Sequence, residues 1–260
     1  MDDHAARWAN VLLDNSLHTP VLELLMHGAR LKACRRVNLA VTGAALSPRG
    51  GQWCTFVLEE DEEWEVAMGP AGVWSYVAVR GGFLGPRWFG SVSAYSRGGL
   101  GEPPAPGTVI GRPEIPAGTW PAALGRRWVD PVEQRNYASP PPLRVWPGPQ
   151  WELFSGELKG AFFAQAWRIS ARSDRSGYRL EGDKVKGPEA TLPSEPVLPG
   201  TIQIPPDGGP LVTLRDGPTV GGYPKLGLVD PTHLSWLVQC RPGQSVRFAP
   251  VGEAFGTTTS

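Results

Sequence analysis

The chain has 260 residues, and its 25 Lys and Arg balance 25 Asp and Glu, so its formal charge is zero. That length buries a sizeable core in one large domain or two small ones. Zero net charge without a basic tract argues against nucleic acid as the main partner. The 33 glycines and 28 prolines approach low-complexity composition, but aromatic and β-branched residues are plentiful and no repeat occurs. The expectation is a folded, turn-rich, mostly-β protein.

Cys34, Cys54 and Cys240 lie far apart and form no CxxC or Cys/His ligand spacing, so no metal site is expected. A sparse, odd cysteine count suits a reducing compartment. No apolar run approaches the ~20 residues of a membrane span. MDDHAARW at the amino end does not read as a signal peptide, and the cytoplasm is the expected location.

In chain order, Ala5, Trp8, Ala9 and Leu12 share one helical face, with Asp2 or Asp3 as N-cap. Strands are expected at 21–26 and 37–41, with a turn at Gly43. The segments 53–58 and 64–68 read as a hairpin whose tip carries Glu59, Glu60, Asp61, Glu62 and Glu63. Those acids are either a site for a cation or basic partner, or a solvated loop that protects a strand edge; charge runs favour the latter. A strand at 73–79 is rich in Val and aromatic residues. Prolines then recur from Pro103 to Pro142, a stretch that reads as a surface connection between two units. The expected organisation is an amino-terminal β-rich unit, 1–140, a carboxy-terminal β-barrel unit, 141–254, and a tail, 255–260.

In the second unit, short strands are expected at 143–146, 166–170 and 178–180, with a short helix at 151–159. Alternation at 201–204, the turn Pro205–Pro210 and the run 211–214 predict a hairpin. Asp230 followed by Pro231 opens a helix that runs to Cys240. The last strand is expected at 246–248.

Three polar, glycine-containing loops stand out between these strands: 173–182, 194–208 and 216–225. Sites tend to be built on such loops. Asp174 and Arg175 suit a carboxylate or carbamate, the Arg supplying a planar fork of donors, or they form an ordinary Asp-led turn with a surface Arg. Gly221 and Gly222 either bring backbone N–H groups to an anion or make a tight turn. Lys225 is a catalytic or anion-binding amine, or a strand cap. GxxxxGK[ST] is absent, so no independent ATP site is expected. GxSxG is absent too. His4, His18, His27 and His233 form no HxxxH or HExxH and read as ordinary surface or core residues. Most of the 11 tryptophans read as core.

SDRSGYRLEG, SEPVLPGTIQIPPDGGP and DGPTVGGYPK, in that order, resemble the carboxyltransferase A/B-type family. Its members include allophanate hydrolase subunit 2, Kip-antagonist proteins, the C-type subunit of bacterial ATP-dependent 5-oxoprolinase, and part of urea carboxylase. LRVWPGPQWELF, YVAVRGG, AVTGA and ARWANVLLDN extend the resemblance over most of residues 1–251. The resemblance implies a mostly β fold with cyclophilin-like β-barrel character in two subdomains, with a few short helices. It implies two partners: the family's subunit 1 (the B-type subunit) and, for 5-oxoprolinase, its A-type subunit. It also implies a small amide or lactam substrate, with ATP used by the complex. Biotin enters only under an alternative carboxyl-transfer reading. A third reading is a Kip-antagonist-type binding protein without turnover.

On this reading the three loops converge. Asp174, Arg175, Glu181 and Lys225 are the expected catalytic residues. Tyr178, Arg179, Glu195, Gln203, Asp207, Thr219, Gly221, Gly222 and Tyr223 are expected to bind substrate. Glu181 or Asp207 serves as general base or as anchor for Arg179. Gln203 alternates away from Ile202 and Ile204, so it faces a polar cleft. The chain departs from the family in three places. Members usually carry about 25 further residues before the first helix, including a first strand, so an exposed sheet edge is expected here. Many relatives have Gln-Thr-Thr where this chain has Pro218-Thr219-Val220. The segment 83–93, which carries Trp88, is compressed relative to the family pattern.

Overall fold

A computed structural model describes residues 1–26, 29–114, 126–188 and 192–252. His27 and the tail 255–260 lie outside the described residues. The chain forms two compact units, one spanning Asp2–Arg135 and the other Met1 together with the residues from Asn136 onward.

The amino-terminal unit starts with α1 (Asp3–Val11), capped by Asp2, whose side chain accepts from the Ala5 N–H at 3.0 Å. Its apolar face, with Ala5 and Ala9 buried, packs on the sheet. Six strands follow: β1 (Leu22–Leu25), β2 (Arg30–Lys32), β3 (Val37–Gly43), β4 (Cys54–Leu58), β5 (Glu63–Glu65) and β6 (Trp74–Val79). Antiparallel pairing gives the order β1-β6-β3-β4, with β2 and β5 as a separate ribbon. All six residues of β6 are buried. Leu39, Val41, Phe56, Trp64, Val77 and Val79 form its core cluster. Each such side chain contributes about 1.5–3 kcal/mol by leaving water.

The hairpin expected between 53–58 and 64–68 does not form. β4 pairs with β3, and β5 crosses to pair with β2. The acidic run therefore links two sheets instead of capping one ribbon: β5 is held beside β2 with Trp64 opposite Leu31, and Trp64 is buried in the unit's core. Arg36 meets Glu59 at 3.1 Å, Lys32 meets Asp61 at 2.7 Å and Arg49 meets Glu62 at 3.6 Å. These acids are neutralised on the surface by the unit's own cations.

The carboxy-terminal unit contains β7 (Leu143–Pro147), a 3₁₀ turn at Trp151–Leu153, α2 (Gly156–Ala164), β8 (Trp167–Ile169), β9 (Gly177–Glu181), β10 (Glu195–Pro196), β11 (Thr201–Gln203), β12 (Leu211–Thr213), β13 (Val220–Gly221), β14 (Lys225–Val229), α3 (Pro231–Leu237), β15 (Ser245–Val246) and β16 (Phe248–Pro250). The expected helix at 151–159 is thus a 3₁₀ turn and then a helix that begins at Gly156, because Ser155 caps it by accepting from the Leu158 N–H. The hairpin of β11 and β12 forms, with Ile202 opposite Val212. Asp230 caps α3 as expected, with Pro231 in its first turn, and the helix ends at Leu237 rather than Cys240.

The sheet order is β15-β8-β9-β12-β11-β14-β7-β16. The two edge strands are consecutive in the chain, separated by Arg247 alone. The expected last strand is therefore two short ones, β15 on β8 and β16 in parallel on β7. One segment holds both edges, and the sheet curls into a nearly closed barrel that leaves little free edge. Phe162 of α2 is fully buried and stacks with Trp167 and Phe248, at 5.4 and 5.1 Å between ring centroids. Among the described residues no helix is long and apolar enough to cross a membrane.

Candidate functional site

Strand β11 is covered on both faces. Ile202 is fully buried, and its neighbour Gln203, which points the opposite way, is only 3% exposed. The cover on the second face includes the ribbon of β10 and β13, in which Glu195 pairs with Gly221. A Cβ on Gly221 would stand 2.8 Å from Gln203 Oε1 and 3.1 Å from Val197 Cγ2, so the absence of a side chain lets the ribbon close on that amide; its backbone is not left-handed. Gln203 Nε2 donates to Thr213 Oγ1 at 2.8 Å.

A β-bulge aims Lys225 at the same place. β14 pairs Gly227 with Ile202 and Lys225 with Gln203, so Leu226 is the extra residue. Directly opposed residues share a face, and the bulge turns the Lys225 side chain to the side of Gln203 and the ribbon. Bulges next to sites commonly re-aim a side chain in this way.

The Lys225 side chain is 3% exposed, and its Nζ donates to Glu195 Oε1 at 2.7 Å. A second, longer bond reaches the Gly221 carbonyl at 3.4 Å. Gln150 completes the group. Its Nε2 donates to the same Glu195 oxygen at 2.6 Å, and its Oε1 accepts from the Lys225 backbone N–H at 3.1 Å. Hydrogen bonds from Lys225 and then Gln150 hold the Glu195 carboxyl below its ordinary value. A buried ammonium is tolerable because it is paired and hydrogen-bonded. Its third N–H meets no acceptor among the described residues.

Lys225, Glu195, Gln203 and Gly221 are thus brought together. Gly222 and Tyr223 follow on the same turn, with Tyr223 45% exposed. Thr219 precedes it, and its carbonyl accepts from the Val197 N–H at 2.8 Å. Sequence reasoning missed Gln150 and Thr213. Gln150 lies 75 residues before Lys225 and reaches it only because β7 pairs with β14. Its local signal was a glutamine after Pro147-Gly148-Pro149.

The other expected residues fall into two further groups. Asp174 caps its own turn, its Oδ1 accepting from the N–H groups of Ser176 and Gly177 at 2.7 and 3.3 Å. Arg175 does not present an open fork as expected. Its Nε and Nη2 close on Asp216, at 2.6 and 3.4 Å, because the turn after β12 brings that carboxylate alongside. Tyr178 is a core residue whose hydroxyl donates to the Val238 carbonyl at 2.9 Å.

Arg179, Glu181 and Asp207 line an open basin on the outer face of β8 and β9. Glu181 anchors Arg168 rather than Arg179, taking its Nε and Nη2 at 3.1 and 3.0 Å. The two residues are directly opposed in the ladder. Asp207 accepts from the Gly209 N–H at 3.0 Å within its own turn.

Comparison with known proteins places the fold and the family. Over 257 residues the chain is 29% identical to the 5-oxoprolinase C subunit of Escherichia coli, covering 95% of this chain and 80% of that one. Against the 5-oxoprolinase C subunit of Haemophilus influenzae the identity is 27%, over 96% and 81% of the two chains. The solved structure of TTHA0988 superposes with a TM-score of 0.84 at 34% identity, covering 95% of this chain and 49% of that one. The chain therefore spans about half the length of that solved relative. Urea carboxylase of Kluyveromyces lactis has the same fold over 97% of this chain and 24% of its own, with a TM-score of 0.84 at 23% identity. The sequence model of the carboxyltransferase domain, subdomain A and B, matches residues 1–250, and the chain belongs to that family.

Proposed function

We propose that this chain is the C-type subunit of an ATP-dependent 5-oxoprolinase complex, a hydrolase that opens 5-oxoproline to L-glutamate only when assembled with its A- and B-type subunits in the cytoplasm. The observation that carries this reading is the match, over 95–96% of the chain, to two proteins named as that component. The Lys225 cluster supports it chemically.

Ring opening adds water across the lactam C–N bond: hydroxyl to the carbonyl carbon, a proton to the ring nitrogen. ATP, a substrate of the complex, supplies the driving force. A resonance-stabilised amide needs its carbonyl oxygen polarised, and preorganised donors in a site that excludes water do this best. Lys225 has an N–H left over for that oxygen. Glu195 holds the ammonium charged and in place, and Gln150 locks Glu195. Gln203, on the same face, supplies a further amide.

The test is co-expression with the partner subunits and an assay of 5-oxoproline-dependent ATP hydrolysis. The assembled wild type should turn over. Lys225→Met should assemble and lose about 10²-fold or more, the loss typical of one such donor. Assembly without turnover would instead favour the Kip-antagonist-type reading. The family's description as a carboxyltransferase domain favours another reading, transfer of a carboxyl group from carboxybiotin to an amide or urea nitrogen. Carboxybiotin-dependent carboxylation without 5-oxoproline turnover would select it.

A further inference from the structure

The basin on β8 and β9 lies outside the Lys225 cluster, and the proposed function makes no use of it. It is concave, with a volume of about 620 Å³, within the range of small-molecule sites. Strand alternation builds it. Trp167 and Ile169, Tyr178 and Leu180 turn inward, so Arg168, Arg179 and Glu181 turn outward. Arg172 enters from the turn after β8, and Lys184 follows β9. The turn between β11 and β12 closes the side, with the Val185 N–H donating to the Gly208 carbonyl at 3.0 Å. The Lys184 ammonium lies over Gly209, where a Cβ would stand 3.2 Å from its Nζ.

Four cations thus face two carboxylates. Arg168 is spent on Glu181. Among the described residues, Arg172, Arg179 and Lys184 have no carboxylate within ion-pair distance. Glu181, already bonded to Arg168, also attracts Arg172, but four cations against two carboxylates leave the concave site with excess positive charge, which an anion relieves. Two guanidinium forks and an ammonium match a tetrahedral, multiply charged oxyanion better than a single carboxylate. The basin is bounded rather than a stripe, and the chain is neutral overall, so a nucleic-acid track does not fit.

We propose that this basin binds the phosphate or diphosphate group of a small molecule, with Arg172, Arg179 and Lys184 as its ligands. The inference rests on this geometry alone and is independent of the 5-oxoprolinase reading.

The experiment is calorimetric titration of the full chain with tripolyphosphate and with inorganic phosphate, at fixed near-physiological ionic strength. Saturable binding of tripolyphosphate, one per chain, is expected. Arg172→Gln combined with Arg179→Gln should weaken it about tenfold or more, or ~1.4 kcal/mol. Arg36→Gln, a surface charge paired with Glu59 in the other unit, should leave it unchanged. Arg179→Lys, which keeps the charge and loses the fork, should fall between. The melting temperature of each variant checks folding. Absence of saturable binding at millimolar ligand, or equal affinity in wild type and double variant, overturns the proposal. Tighter binding of a polyglutamate peptide than of tripolyphosphate also overturns it, in favour of protein docking.

Discussion

Glu195 takes the Lys225 ammonium at 2.7 Å on the same oxygen that accepts from Gln150. The lysine is almost wholly enclosed, while the Glu195 side chain is 33% exposed. Removing either partner therefore has unequal consequences. Lys225→Met leaves a carboxylate that water can reach. Glu195→Leu strands a buried ammonium. Breaking a buried pair typically costs about 3–5 kcal/mol, and solvent screening of Glu195 lowers the figure for the lysine variant. The expected order in urea or thermal melts is wild type, Lys225→Met, Glu195→Leu, from most to least stable. A reversed order would mean that the ammonium is not the enclosed charge.

The same pair sets a pH dependence. The folded Glu195 carboxyl is held below its ordinary value by Lys225 and Gln150, so the unfolded chain binds its proton first. Its contribution is fully present above the unfolded pKa of about 4.3 and is lost as the pH falls through the lower folded value. Asp230 behaves in the same direction. Burial pushes its carboxyl up, but bonds from Thr232 and Trp146 and the charge of Arg144 outweigh it. Thermal melts from neutral pH down to about pH 3 should show the gap between wild type and Glu195→Gln closing with acid. A gap that stays constant would remove Glu195 from the titration.

Arg175 and Asp216 should couple. Arg175 is 40% exposed and Asp216 22% at the side chain, so the paired donors give about 0.5–1 kcal/mol rather than a buried-pair energy. A double-mutant cycle with Arg175→Ala and Asp216→Ala reads it directly. Zero coupling would show that the fork is open in solution.

Phe89 carries a prediction about strain. Trp88 and Ser91 exchange both backbone bonds, at 2.7 and 2.9 Å, around Phe89 and Gly90. Both central residues have positive φ, +49° and +84°, the two-residue hairpin turn that favours Asn-Gly. Phe89 is 97% exposed and gains nothing from burial. Phe89→Asn should raise stability by about 0.5–1 kcal/mol, seen as a higher melting temperature. A lower one would show that Phe89 packs in solution.

The three cysteines should separate by accessibility. Cys34 is exposed, while Cys54 and Cys240 are buried. Burial pushes the Cys240 thiol up to about 12, which leaves almost no thiolate at mild pH. Ellman titration at pH 8 should find one fast thiol in the native chain and all three in denaturant. Rapid reaction of a second thiol would show that one of the buried sites opens readily.

Local chemistry was legible in the sequence wherever it decided the outcome. The Asp2 and Asp230 caps, the β11–β12 hairpin and the strand at β9 all follow from residues within a few positions of each other. The loops 194–208 and 216–225 were singled out by their polar and glycine content, and they supply most of the Lys225 cluster. The family was legible for the same reason, since its signatures are local strings.

Tertiary structure decided the pairings between distant segments. β4 and β5 are adjacent in sequence and their composition suits a hairpin, yet β5 lies beside β2, where Arg30 and Lys32 meet acidic partners. Arg175 looked like an open fork because Asp216 lies 41 residues away. Gln150 was invisible as a site residue because only the β7–β14 ladder brings it to Lys225, and the bulge at Leu226 that aims Lys225 leaves no mark in the composition. Propensity and capping act over a few residues of chain. Charge partners and covered faces depend on which strands become neighbours, and long-range hydrophobic burial makes that choice in the folded chain.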